Sequence, residues 1–256
     1  MKKIIFCLFI IWTQFLSSKE SGYGVPVADV KVISSDFNAF FSYYNKYIKL
    51  SNDFVGLDIT SKIIDKRTFL NKISTGFYFP MRLTSQKQTY IKLIKVNNWK
   101  TIDIPNTLKQ YANSELKNFE MEGEKIPKFN FKDLNNKIYN SETTKDKIVV
   151  LKFWFIHCQK CVEEMPNLNK LVKKYKDRND IVFLSLAFDK NEELKKFLTK
   201  KAFYYPVVGN QKNYLLQDLE IESFPTHMII NRKGLIAKVV NSYEELEIAL
   251  KKEISK

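Results

Sequence analysis

Two cysteines three positions apart, Cys158 and Cys161 in "KFWFIHCQKCVEEMP", stand where an apolar run gives way to a charged helical one. The chain of 256 residues holds one other cysteine, Cys7, and two histidines, His157 and His227. A bridge between Cys158 and Cys161 closes so small a loop that it removes little entropy from the unfolded chain, so a structural staple explains the pair poorly. A closed zinc site usually needs four ligands, and only the two histidines could join, His157 with an awkward bite beside Cys158. Heme attachment asks for a histidine directly after the second cysteine, where Val162 stands. A redox pair remains. Cys158, at a helix start, lies near unpaired N–H groups and the positive dipole end, and Lys160 adds a charge; both favour the thiolate and make Cys158 the nucleophile. Cys161, one turn on, is the shielded resolving thiol that releases a partner from a mixed disulfide.

The start of the chain suggests the compartment. "MKKIIFCLFIIWTQFLSS" sets two lysines before an apolar stretch from Ile4 to Leu16, the layout of a secretory signal peptide over residues 1–20. The stretch is short for a bilayer span, although a retained anchor is the alternative. Cleavage removes Cys7 and leaves Cys158 and Cys161 alone in a periplasmic or otherwise extracytoplasmic chain, where disulfides form. The formal charge of +14 invites a nucleic-acid reading, but only four of the 42 basic residues are arginine and the lysines are spread evenly. No nucleic-acid partner is expected; weak attraction to anionic lipid heads stays open.

Periodicity divides the rest into two parts. Residues 25–120 read as a small α+β domain. After a mobile entry segment come an aromatic-striped helix over 35–50 and a short helix over 65–74. Strands at "GFYFPMRL" and "QTYIKLIKV" precede a helix opening at Pro105. The charged "EMEGEKIPKF" marks the boundary, with Gly123 and Pro127 as breakers. Over 125–256, a hairpin around Asn135 and Asn136 leads into "KIVVLKFWF", apolar enough to be covered on both faces. A helix over 159–176, a strand "IVFLSLAF", helices at 190–200 and 211–219, a hairpin turning at "NRKG" and a helix from Ser242 complete an α/β sheet with helices on both sides.

The run "VLKFWFIHCQKCVEEMPNLNKL" together with the distal "SFPTHMII" resembles the thioredoxin superfamily, and within it the TlpA/ResA-like extracytoplasmic thiol-disulfide oxidoreductases. The likeness covers roughly 125–256 and implies a thioredoxin-like fold: a central mixed sheet with helices on both faces and an N-terminal hairpin. It implies a redox-active Cys158–Cys161 disulfide, with no other cofactor and no metal. It also implies a cis bond between Phe224 and Pro225, so that the Phe224 backbone meets a partner strand. Glu164 would be a partly buried carboxyl with a raised pKa, exchanging protons with Cys161; the bland alternative is a solvated helix glutamate. Trp154 either packs under the active-site turn or touches partners. His157 either tunes Cys158 or is an exposed loop residue, and His227 reads as an ordinary strand histidine. Gln159 and Lys160 depart from the common proline before the second cysteine and so influence redox potential and partner choice. The helix near 190–200 and "FYYPVV" fit the extra insertion of the TlpA-like branch.

The implied partners are protein disulfides, with a membrane thiol donor as the source of electrons. A peroxidase of the same fold is the nearest alternative, but the threonine and proline it would want are replaced by Phe155 and Leu151. A third reading makes the N-terminal domain a binding module and the redox half its tether. A metal carrier lacks an evident ligand set.

Overall fold

The computed structural model describes residues 22–256, so the signal peptide expected over residues 1–20, Cys7 included, lies outside the described residues. The first part comprises α1 (Val30–Ile33), α2 (Phe37–Tyr47), β1 (Val55–Leu57), β2 (Ile63–Ile64), α3 (Lys66–Ser74), β3 (Tyr78–Arg82), β4 (Tyr90–Lys95) and α4 (Asp103–Met121). Aspartates start three of these helices, Asp29 accepting the Lys31 N–H at the head of α1. The Asp36 carboxylate accepts the Asn38 and Ala39 N–H groups, and Asp65 accepts that of Thr68. The strands form a sheet ordered β2-β1-β4-β3, with β1 parallel to β4 and the other pairs antiparallel. Helices α2, α3 and α4 close over it, burying Phe40, Phe69, Phe79, Ile91 and Leu108 in one core. The aromatic stripe of α2 is therefore packing, as Tyr43 illustrates: its hydroxyl donates to Pro80 O at 3.1 Å and accepts from the Arg82 N–H at 2.8 Å.

The entry segment is not mobile. Val25 N–H donates to Thr84 Oγ1, Thr84 N–H returns to Val25 O, Val27 N–H reaches Arg82 O, and Tyr23 packs on Tyr90 at 4.8 Å. Strands β1 and β2 escaped the sequence pattern because three and two residues cannot display a period.

The second part begins with a hairpin, β5 (Asn130–Lys132) and β6 (Ile138–Asn140), in which Asn136 takes the positive φ of 68° that the turn requires. Then follow β7 (Ile148–Trp154), α5 (Gln159–Glu163), α6 (Met165–Lys174), β8 (Ile181–Ala187), α7 (Asn191–Leu198) and β9 (Val207–Val208). A wide helical turn at Tyr214–Asp218 precedes β10 (Thr226–Ile230), β11 (Ile236–Val240) and α8 (Tyr243–Ile254). The sheet runs β11-β10-β7-β8-β9, with β7, β8 and β9 mutually parallel and β10 antiparallel to both neighbours. Every residue of the central β7 is buried, which explains its apolar run. Leu168, Leu171, Leu246 and Leu250 of α6 and α8 cover one face against Val150 and Ile229. The hairpin and the Tyr214–Asp218 turn cover the other, over Leu151, Phe153 and Met228.

Three expectations change here. The helix over 159–176 breaks into α5 and α6, because Pro166 has no N–H to continue the ladder. "FYYPVV" is not wholly an insertion: Val207 and Val208 enter the sheet as its edge strand, parallel to β8. The charged stretch after α4 is no free linker, since Gly123 N–H donates to Ile236 O at 2.7 Å and Ile236 N–H to Glu124 O at 2.8 Å, laying it along β11. No helix among the described residues is long and apolar enough to cross a membrane.

Candidate active site

The cysteines sit just past the end of β7, the central strand of the sheet, paired with β10 and β8. Past Trp154 the chain turns: Ile156 N–H donates to Asp189 Oδ2 at 2.8 Å and Cys158 N–H to Phe155 O at 3.1 Å. Cys158 then caps α5 with extended backbone, and its Sγ accepts the Cys161 N–H at 3.3 Å. That N–H is one of the unpaired donors of the first helical turn, aimed at the sulfur where thiolate charge would develop. Because α5 is short, this local contact rather than a long helix dipole is the electrostatic support for Cys158. Cys158 and Cys161 form a disulfide with Cα atoms 5.2 Å apart. Cys158 keeps 8% of its surface and Cys161 none, so approach from solvent reaches the first sulfur only.

The Phe224–Pro225 peptide is cis. Among the described residues, no backbone hydrogen bond engages the Phe224 N–H or C=O. The Phe224 ring meets Phe155 at 5.6 Å and Phe188 at 4.9 Å, while Phe155 and Phe188 stack at 5.4 Å. Together they form a half-buried aromatic rim beside the disulfide. His157, Gln159 and Lys160 are exposed on the turn, with Gln159 donating to Glu163 at 2.7 Å. Trp154 is fully buried against Phe197 and Phe203, so it packs beneath the turn and does not touch partners.

Glu164 departs most from expectation. Its Oε2 accepts Lys152 Nζ and His227 Nε2, each at 3.0 Å, and its Oε1 accepts the Tyr243 N–H that opens α8. Burial opposes its ionisation, but the hydrogen bonds from His227 and Lys152 and the Lys152 charge outweigh burial and hold the carboxyl down at about 2. The raised pKa that proton exchange with Cys161 requires is therefore absent. Lys152 and His227 are completely buried register partners on β7 and β10. Burial lowers both, with Glu164 opposing the fall in each case. His227 is best described as neutral, its Nε2–H given to Glu164, since Nδ1 is buried without a partner. An orphaned lone pair costs less than an orphaned N–H of an imidazolium.

Relatives place this geometry. The model of the AhpC/TSA family matches residues 122–239. The thioredoxin-like protein YneN of Bacillus subtilis is 30% identical over 120 residues, 46% of this chain and 70% of that protein. The chain belongs to the thioredoxin-like family of YneN and ResA. The thiol-disulfide oxidoreductase ResA of Bacillus anthracis is 28% identical over 133 residues, covering 51% of this chain and 77% of its own. Among solved structures, the thioredoxin domain of a Bacteroides vulgatus thiol-disulfide oxidoreductase is 24% identical, with a TM-score of 0.47, and overlaps 51% of this chain and 96% of that one. This chain is a thiol-disulfide oxidoreductase of that family.

The structure gathers Cys158, Cys161, Phe224 and Pro225 at one corner, with His157, Gln159 and Lys160 on its exposed rim and Glu164 held behind it. Sequence reasoning missed Lys152, and the aromatic rim of Phe155 and Phe188. A lysine amid "VVLKFWF" was the available signal, because a charge in a strand covered on both faces must find a partner. Among the described residues no three His, Cys, Asp or Glu side chains gather to hold a metal ion.

Proposed function

We propose that this chain reduces disulfides in protein partners outside the cytoplasm, with Cys158 as nucleophile and Cys161 as resolving thiol. The Cys158 thiolate attacks one sulfur of the partner's disulfide; the partner's S–S bond breaks, its second sulfur leaves as thiolate and takes up a proton, and a mixed disulfide forms. Cys161 then loses its proton and attacks Cys158 Sγ, freeing the partner's remaining thiol and closing the Cys158–Cys161 disulfide. Two electrons have passed to the partner, and a dithiol donor at the membrane restores the pair. The observation that carries the reading is the Cys161 N–H directed at the sulfur of the more accessible cysteine.

The unengaged backbone of Phe224 supports docking of an extended partner segment beside Cys158, by the edge pairing that strands offer peptides. The exposed His157, Gln159 and Lys160 would face that partner and influence its choice. Glu164, accepting from three donors, serves to tie β7, β10 and α8 together behind the thiols rather than to carry protons. The signal-like "MKKIIFCLFIIWTQFLSS" supports export.

With dithiothreitol as reductant, the exported form is expected to reduce insulin disulfides, and Cys158→Ser to abolish turnover. Equal rates in the two proteins would sink the assignment. Cys161→Ser should strand partners on Cys158 as mixed disulfides that survive non-reducing electrophoresis.

A further inference from the structure

Helix α4 belongs to two cores at once. Its first turns give Ile104, Leu108 and Ala112 to the N-terminal core, and Met121 in its last turn packs on the cluster formed by β7, β8 and β10. Between these ends, two adjacent residues reach the loop that leads into the cis peptide. Asn118, 7% exposed, donates from Nδ2 to Asn241 Oδ1 at 3.2 Å. Asn241, just past β11, donates in turn from Nδ2 to Ser223 Oγ at 3.3 Å, and its Oδ1 lies 3.3 Å from Thr226 Oγ1. Thr226 Oγ1 closes the ring by donating to Ser223 O at 2.6 Å. Ser223 and Thr226 bracket Phe224 and Pro225. On the outer side, Lys117 Nζ lies 2.7 Å from Glu222 Oε1 and 3.4 Å from Glu220 Oε2. The segment that must present the Phe224 backbone is thus reached from one helix of the other half, directly by Lys117 on its outer side and through Asn241 by Asn118.

A loop held in its bound shape pays less ordering entropy when a partner docks, and small displacements beside reacting atoms are costly. We infer that α4 is a positioning element for partner docking at the redox site, with Asn118 as a positioning residue that acts through Asn241 on Ser223 and Thr226, and Lys117 as an outer clamp. The inference rests on the reading that a protein partner docks along Phe224. It gives the N-terminal half a part in the reaction without any contact with the sulfurs.

The test uses the full exported chain and two substrates, insulin and the small disulfide 5,5′-dithiobis(2-nitrobenzoate), alongside the reduction potential of the cysteine pair. Asn118→Ala should raise KM for insulin about fivefold, the weight of one neutral hydrogen bond, with kcat, the rate on the small disulfide and the potential unchanged. Lys117→Glu, a charge reversal at a half-buried side chain outside the two cores, should raise the same KM about twofold and move nothing else, the weight of a surface ion pair. Unchanged KM for insulin in both variants, or equal losses on both substrates, overturns the inference and leaves α4 a structural brace. A wild-type protein that reduces the small disulfide but leaves insulin intact overturns the protein-partner reading itself, and this inference falls with it.

Discussion

In the N-terminal half Lys66 Nζ meets Glu115 at 3.1 Å, and in the C-terminal half Lys152 Nζ meets Glu164 at 3.0 Å. Burial pushes the first carboxyl up to about 7, whereas the second is held down at about 2. The difference lies in the company each keeps. Glu115 receives one side-chain donor, and Lys66 divides itself between that carboxylate and Ser51 O at 3.3 Å, while the Glu245 charge opposes ionisation further. Glu164 collects Lys152, His227 and the Tyr243 N–H. A buried carboxylate stays charged when its lone pairs are filled, and drifts toward neutrality when a single cation is left to offset desolvation.

Removing the cation from each pair should expose the contrast most strongly. Lys152→Met leaves an ionised carboxylate behind the thiols without its cation, and urea unfolding at neutral pH should record a loss of about 3 kcal/mol. Lys66→Met should cost about 1 kcal/mol, because Glu115 can take up a proton and remain as a neutral acid. Equal losses would mean that the two pairs differ less than their hydrogen bonding implies. The sites also differ in consequence: the Glu164 cluster joins the strands that carry the cysteines and the cis proline, and the Glu115 pair joins α3 to α4.

How much of this could be read from the chain differs by residue. The seam at Cys158, the buried β7 and the helix starts at Asp36 and Ser242 were legible because each is a local pattern of apolar run, spacing or capping side chain. The cis bond at Phe224–Pro225 was reached through resemblance. The ionisation of Glu164 was not legible, since its partners lie 12, 63 and 79 positions away. From the helix alone, burial is the only foreseeable influence on that carboxyl, and burial points upward. His227 looked like an ordinary strand residue until β10 paired with β7 and set it opposite Lys152. The Asn118–Asn241 contact was hidden for the same reason, joining positions 123 apart.

The same contrast predicts opposite pH dependences of stability. For Glu164 the folded value lies below the ordinary 4.5, so between about 2 and 4.5 the unfolded chain binds a proton that the folded chain does not. Its contribution is fully present above 4.5 and is lost as pH falls through that window. For Glu115 the folded value lies above 4.5, so between 4.5 and about 7 the folded chain keeps a proton that the unfolded chain has released. Its contribution is present below 4.5 and is lost as pH rises toward 7. Each slope can approach about 1.4 kcal/mol per pH unit, the limit for one proton. Wild type minus Glu164→Gln should therefore shrink on acidification, and wild type minus Glu115→Gln should shrink on neutralisation. Subtraction removes the many exposed lysine and carboxylate titrations that both proteins share. Two differences sloping the same way would show that the donors around Glu164 do not keep it charged, and the distinction between the halves would collapse to burial alone.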